Sequence, residues 1–413
     1  MIGFPRRDFS FTRTGGSDRA TRREREGDSP LATTSEPVLS AKASRGARGA
    51  AASEDMPNLD LLRAVAVLLV LLSHLAFFTG RLDLWHMRLP WMGGVGVYFF
   101  FVHTCFVLML SLERQWKGQG ALQLFGSFMI RRIFRIYPLS IAVIIPILVF
   151  HLPLATYTPG HFVGVSLSTP MIVANFLLLQ GSGHSLLGPM WSLPYEMAMY
   201  LFLPWIFLFL RSRTSLWGVG ALWLISAAAG VAFLVHTGWP QKDFFIVYVP
   251  CFLPGVIAWQ LRKTRRGHLP AFLWAAVVLL PVPLYLYEQN VFSDYRLKAW
   301  VVCLMVGLAI PFFSQISARW VTKPAHLIAK YSYGIYLTHF FCIWFVFSRL
   351  HDVLSKTARL GFFAVLVVGL PVLLYHALEE PLIRVGKRVA RRFEKMTVRT
   401  AASSVPVQAA QEL

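Results

Sequence analysis

Asn58-Leu-Asp-Leu-Leu-Arg63-Ala-Val-Ala-Val-Leu-Leu-Val-Leu-Leu-Ser-His74 is the stretch that decides the fold of this chain. Between Arg63 and His74 every residue is apolar except Ser73. A membrane-crossing helix needs about 20 predominantly apolar residues, and this run begins one. Eleven steps of about 100° come to roughly 1100°, three turns plus about 20°, so Arg63 and His74 share one helix face. They lie about 16 Å apart along the axis, roughly half the hydrocarbon core of a bilayer. Two ionisable groups on one stripe of a membrane helix are costly unless a cavity or a partner receives them. The pair therefore marks a groove that enters from one side and reaches deep.

The rest of the composition agrees. Of the 413 residues, 56% are hydrophobic and only 15% are charged, where soluble domains carry about 25% charged residues. The expected fold class is all-α, a polytopic membrane helix bundle. The net charge of +20 raises nucleic acid as a partner. The basic residues, however, cluster between apolar spans as membrane orientation requires, so the partner they imply is the lipid bilayer and not nucleic acid. Cys105, Cys251, Cys303 and Cys342 all fall within apolar runs, with no metal-ligand spacing and no disulfide framework. No metal is expected.

Three regions follow. Residues 1–56 are rich in Arg, Ser, Gly and Ala and read as a disordered basic tail, expected to be dispensable, with Met56 as an alternative start. Residues 57–385 form the membrane domain, and 386–413 a basic cytoplasmic helix followed by a polar tail. Ten spans are expected, at about 59–78, 92–112, 136–152, 190–210, 216–236, 244–261, 269–287, 299–315, 328–348 and 360–378. One further apolar segment, 162–180, is expected to be re-entrant or to lie on the surface. With that assignment the loops and tail on the inside hold 21 Lys/Arg and those outside hold 8, which makes both termini cytoplasmic. Prolines within spans, such as Pro204, Pro254, Pro281 and Pro283, are tolerated where neighbouring helices satisfy the freed carbonyls. Phosphate-binding loops, dinucleotide fingerprints and nucleophile elbows are absent from the sequence.

Three other stretches carry chemistry. Trp91-Met-Gly-Gly-Val-Gly-Val-Tyr-Phe-Phe-Phe-Val-His-Thr-Cys-Phe106 has small residues that let helix backbones approach. Its His103 reads as a hydrogen-bonded interior residue. Arg132 and Arg135, in Ile130-Arg131-Arg132-Ile-Phe-Arg135-Ile-Tyr-Pro138, share a face by their i,i+3 spacing at the expected mouth of the third span. They suit either phosphate groups or plain positive-inside anchoring. Glu196, in Trp191-Ser192-Leu-Pro-Tyr-Glu196-Met-Ala-Met-Tyr200, is the one carboxylate placed well inside an expected span. A buried carboxylate must be paired or protonated, and its expected depth matches that of His74. A His74–Glu196 pair would orient the ring as a general base requires; a structural ion pair is the alternative.

These motifs, in this order, resemble the membrane acyltransferase family 3. The resemblance rests on the Arg63/His74 spacing, the glycine and aromatic block near Gly93 and Phe99, the Arg132-x-x-Arg135 element and the Trp191-Ser192-Leu…Glu196 block. In the second block Thr104 and Cys105 stand where the family has Ser-Gly. Weaker likenesses are Pro250-Cys-Phe-Leu-Pro-Gly255, Tyr331-Ser-Tyr-Gly-Ile-Tyr336-Leu-Thr-His339 and Glu379-Glu380-Pro381. The resemblance covers about 57–385. It implies an integral membrane O-acyltransferase of the bacterial inner membrane that uses acetyl-CoA or another acyl-CoA as donor. The implied acceptor is a carbohydrate, with glycan-assembly proteins as partners.

On that resemblance, His74 is the expected base or acyl carrier, with Glu196 and Arg63 beside it as catalytic residues. Arg63, Arg132 and Arg135 are expected at the donor's phosphates, and Trp191 and Thr104 along its tunnel. His184, Tyr336 and His339 are expected to meet the acceptor. Two alternatives stay open on sequence: acylation of a small molecule such as a macrolide, and a transporter or flippase, since intramembrane Arg, His and Glu also serve proton-coupled carriers.

Overall fold

Asn58 anchors the first helix, α1 (Pro57–Phe78), to a distant segment. Its side chain donates to the Ser314 carbonyl at 3.0 Å and accepts from the Ile316 N–H at 3.0 Å, while the Trp274 indole donates to its own carbonyl. The computed structural model describes residues 56–80, 83–84, 87–181, 184–212, 216–237, 244–265, 267–286 and 295–403. The basic tail expected at 1–56 lies, apart from Met56, outside the described residues, as does the end of the polar tail at 404–413.

The helices follow in order as α2 (Met92–Gln115), α3 (Ala121–Val149), α4 (Thr169–Phe176), α5 (Leu193–Leu210), α6 (Trp217–Thr237) and α7 (Phe245–Leu261). Then come α8 (Leu273–Leu279), α9 (Pro281–Leu286), α10 (Tyr295–Ala309), α11 (Arg319–Trp344), α12 (Lys356–Leu374) and α13 (Glu380–Ser403). Two short antiparallel hairpins, Asp83–Leu84 with Met87–Arg88 and Thr156–Thr158 with His161–Val163, are the sheet pairings among the described residues. This is an all-α polytopic membrane bundle. Among the described residues, seven helices are long and apolar enough to cross a membrane. α7 and the α8–α9 pair are shorter apolar helices.

All ten expected spans are helical, but several boundaries move. The third was expected from 136 and starts at Ala121, so Arg131, Arg132 and Arg135 sit inside a 29-residue helix and not at its mouth. Hydropathy stopped at the arginines because it cannot register the carboxylates that receive them, Glu394 for Arg131 and Glu379 for Arg135. The span expected at 269–287 is broken between Leu279 and Pro281, where Pro281 and Pro283 cannot donate to the ladder. The last span continues through a π-helical turn, Tyr375–Glu379, directly into α13. The 162–180 segment holds the second strand of a hairpin and the eight-residue α4, about 12 Å long and far too short to cross. Asn175 fixes it, donating to the Met171 and His184 carbonyls and accepting from the Leu186 N–H.

Close packing places the site. α1 lies against α2 and α11, α2 against α7, α3 against α13, and α7 also against α6 and α10. A Cβ on Gly96 would lie 2.4 Å from the Ala66 carbonyl oxygen, and one on Gly255 2.2 Å from that of Val102, so both backbone approaches require glycine. Pro254 frees the carbonyl of Pro250 four residues earlier, and the Trp223 indole N–H from α6 donates to it at 3.0 Å. The four cysteines are free and buried.

Candidate active site

α1, α2, α3, α5 and α11 enclose a narrow cavity of about 110 Å³ at the level of Arg63. Arg63, His103, Thr104, Arg132, Arg135 and Glu196 line it, with Ser332, Tyr333 and Tyr336 of α11. Arg63 donates from Nε to Ser332 Oγ at 2.6 Å, which fixes the guanidinium against α11. Glu196 accepts from the Tyr200 hydroxyl one turn on, at 3.1 Å, and has the Thr104 hydroxyl within hydrogen-bonding reach. The positive charges of Arg63 and Arg132 act on it directly. Two hydroxyls thus hold the carboxyl, and Arg63 and Arg132 line the same cavity. Arg132 Nε is buried without a hydrogen-bond partner, an orphaned donor that suits an anionic or carbonyl group entering from elsewhere. Arg135 is committed differently: its NH1 meets Glu379 Oε1 at 2.6 Å.

A second, wider cavity of about 700 Å³ lies at the level of His74. His74, Trp91, Tyr98, Trp191, Tyr248, Tyr285, Tyr295 and Phe340 line it. Its volume falls in the range of ligand pockets, about 300–1,000 Å³, and its wall is mostly aromatic with hydroxyl tips. The His74 ring rests edge-on against Phe340 at 4.9 Å, with its Nδ1 2.9 Å from the Val70 carbonyl oxygen and 3.1 Å from His339 Nε2.

Among the described residues the two cavities share no lining side chain, yet they abut. Ser192 faces the arginine cavity and Trp191 the histidine cavity; on α2, Val97 and Phe101 face the first and Gly94 and Tyr98 the second. The layer between them is tied by Tyr336, whose hydroxyl donates to the Pro189 carbonyl at 2.5 Å and meets the Ser192 hydroxyl at 2.9 Å.

The expected His74–Glu196 pair does not form. Glu196 stands in the arginine cavity, and the partner on His74 is His339. The reason is α11. Phe340 packs so closely on the 3-10 turn Gly188–Ser192 that a Gly188 Cβ would lie 2.6 Å from its ring, and Tyr336 binds the same turn. Phe340 and Tyr336 thus fix this turn at the boundary between the cavities, and Glu196 stands at the level of Arg63, not at the depth of His74 that its place in the span led one to expect.

Of the other expected site residues, Arg63, Arg132, Arg135 and Thr104 line the arginine cavity together. Trp191 lines the histidine cavity, packed with Tyr195 and Tyr248 at 6.0 and 5.7 Å, so it does not stand beside Thr104. Tyr336 belongs to the dividing layer. His184 is exposed and lines neither cavity, although its neighbour Ser185 lines the histidine one. Ser332, Tyr200 and the buried Glu379 were not assigned to the site from sequence, and His103, read as an interior residue, is buried and lines the arginine cavity. Ser332 and Glu379 lie in the weaker motif likenesses near Tyr333 and Pro381, which was the available signal.

Residues 56–376 match the model of the acyltransferase domain of family 3. Among curated proteins the chain is similar to the peptidoglycan O-acetyltransferase OatA of Listeria monocytogenes, with 24% identity over 326 residues. The alignment covers 69% of this chain and 49% of that protein, so the chain spans about half the length of this curated relative. No solved structure matches the chain.

Proposed function

The chain belongs to the acyltransferase domain family, and from that premise we propose that it moves an acetyl group from cytosolic acetyl-CoA to a hydroxyl of a cell-envelope carbohydrate. The observation that carries this reading is the stacking of two unlike cavities along one face of α1, a cationic one at Arg63 and a neutral, aromatic one at His74. A thioester donor has an anionic head and a thin arm; a sugar acceptor is neutral and favours aromatic walls with hydroxyl tips. The arginine end of α1 is the cytosolic one in this reading, on the 21-to-8 basic asymmetry, with both termini inside and ten crossings of a bacterial cytoplasmic membrane. The carbohydrate acceptor is suggested by the activity for which the Listeria relative is named, the O-acetylation of peptidoglycan.

Arg132, whose Nε lacks a partner, and Arg63 hold the phosphate end of the donor, and the charge of Glu196 offsets part of the repulsion between them. The arm crosses the layer where Ser192 meets Tyr336, bringing the thioester to His74. His74 removes the proton of the acceptor hydroxyl as its oxygen attacks the thioester carbonyl. The carbon–sulfur bond then breaks, and the departing thiolate takes that proton back from the imidazolium.

The test uses purified full-length protein in lipid vesicles, acetyl-labelled acetyl-CoA on one side and an N-acetylglucosamine–N-acetylmuramic acid disaccharide as acceptor. Label should appear on the sugar as an alkali-labile ester, and His74→Ala should lower the rate by about 10²–10⁴. Wild-type turnover by His74→Ala, or passage of labelled donor across the vesicle without ester formation, overturns the proposal.

A further inference from the structure

His74 Nδ1 has two neighbours that between them fix its protonation. The Val70 carbonyl oxygen, 2.9 Å away, can only accept. His339 Nε2 is 3.1 Å away, and its role follows from the other side of its own ring. There Nδ1 lies 3.1 Å from the Ile335 carbonyl oxygen, one turn earlier on α11, which also can only accept. His339 Nδ1 must then carry the ring's hydrogen. A neutral imidazole has one N–H, so His339 Nε2 is an acceptor. Both neighbours of His74 Nδ1 are therefore acceptors, and that nitrogen must be the protonated one, sharing its hydrogen between them.

We propose that His339 is the positioning residue of His74: by accepting the Nδ1 proton it makes Nε2 the basic nitrogen and holds the ring while it works. This rests on the reading of His74 as the base. In hydrolase triads a carboxylate takes this position and stabilises the imidazolium that forms. Here the residues lining the histidine cavity include no carboxylate among those described; besides His74 the titratable ones are Tyr98, Tyr248, Tyr285 and Tyr295. Among the described residues the rings of Phe340 and Tyr336 pack on the pair, with Phe162 behind Phe340. A neutral acceptor does the carboxylate's orienting work without placing a resting charge in the membrane interior, where a charge is costly. When His74 takes the acceptor's proton, its Nδ1–H bond to His339 becomes charge-assisted and shortens. A protonated His339 has no acceptor nitrogen and would present a second N–H to His74, so the arrangement works only while His339 is neutral.

The test compares His339→Phe, which keeps a ring but has no acceptor, with His339→Gln, whose amide oxygen can accept. Each is assayed as purified full-length protein with acetyl-CoA and the disaccharide, alongside solid-state nitrogen NMR of histidine-labelled protein, the His74 signal assigned by difference from His74→Gln. In the wild type His74 should show a protonated Nδ1 and a bare Nε2. His339→Phe should lower kcat by about 10²- to 10⁴-fold with donor KM unchanged and give mixed His74 tautomers, as loss of the orienting group does in a triad. His339→Gln should recover part of kcat and restore the Nδ1–H form. A protonated Nε2 in the wild type, or a His339→Phe protein with wild-type kcat and pH profile, overturns the inference. Equal losses in both variants, accompanied by lowered thermal stability, would do the same by showing a packing role. If the tautomer is as stated but His74→Ala is fully active, it is the catalytic reading that fails.

Discussion

Arg135 is the residue on which the spacing argument and the structure diverge most, and its substitution discriminates between them. Its NH1 lies 2.6 Å from Glu379 Oε1; the Glu379 side chain is 1% exposed and that of Arg135 24%. Glu379 ends the π-turn Tyr375–Glu379, and α13 begins directly after it. Removing one member of such a pair strands the other in a poor solvent, a loss of about 3–5 kcal/mol. Removing both and filling the space with apolar side chains is often close to neutral. Arg135→Met should therefore lower the thermal stability of the detergent-solubilised protein sharply, as should Glu379→Met, while the double variant recovers most of the loss. The coupling from the four-protein cycle should be well above the roughly 0.5 kcal/mol that separates independent sites. Unfolding of a membrane protein of this kind is commonly irreversible, so the comparison is made as inactivation half-lives at one temperature. If instead Arg135→Met keeps its half-life and raises the donor KM, Arg135 serves the donor and the ion pair does not dominate its role.

Two further outcomes are expected. Arg132→Ala should raise the apparent donor KM roughly ten- to a hundredfold, about 1.5–3 kcal/mol for a charge-assisted bond, and Arg132→Lys should rescue it only in part because an ammonium lacks the planar fork; initial-rate kinetics with acetyl-CoA decide it, and an unchanged KM for both would remove Arg132 from the donor site. Gly255→Ala should yield little monodisperse protein, since its Cβ would meet backbone atoms of Val102 and Phe106 at 2.2 and 2.8 Å, whereas Gly94→Ala, 3.5 Å from the Tyr285 hydroxyl, should be purified normally; size-exclusion profiles of the two would show it.

The membrane class, the helical bundle and the non-crossing 162–180 segment were legible because they depend on the length of apolar runs, which is a local property. Arg63 and His74 were legible as a pair because helical spacing is local too. What escaped was everything decided between helices. Hydropathy cut α3 short at Arg135 because it cannot see that Glu379 and Glu394, more than 240 residues away in sequence, receive Arg135 and Arg131. Glu196 was matched to His74 by expected depth and by the family resemblance, and the expected depth depended on where the span was taken to begin. Tyr336 and Phe340 of α11 fix the turn before α5, and from there Glu196 reaches the level of Arg63 and not that of His74. The Tyr331–His339 motif was read as weak because capping and packing account for tyrosines and glycines; Ser332 and His339 nevertheless supply the side-chain partners of Arg63 and His74.

The distribution of charge along α1 follows from the chemistry it is proposed to serve. Arg63 and Arg132 face one carboxylate, Glu196, in the arginine cavity, so that cavity holds an excess of positive charge before anything binds. About 16 Å further along the same helix, the described hydrogen-bond partners of His74 are the Val70 carbonyl and the neutral ring of His339. A general base needs a lone pair aimed at a hydroxyl, and a resting charge beside it would have to be desolvated in hydrocarbon. Replacing the orienting carboxylate with the neutral ring of His339 removes that cost and leaves the imidazolium of the reacting state as the one new charge. It is stabilised for as long as the proton is held and vanishes when the thiolate leaves. On this argument the carboxylate belongs where the structure has it, among the arginines, and bringing Glu196 to His74 would serve the base less well than leaving it where it is.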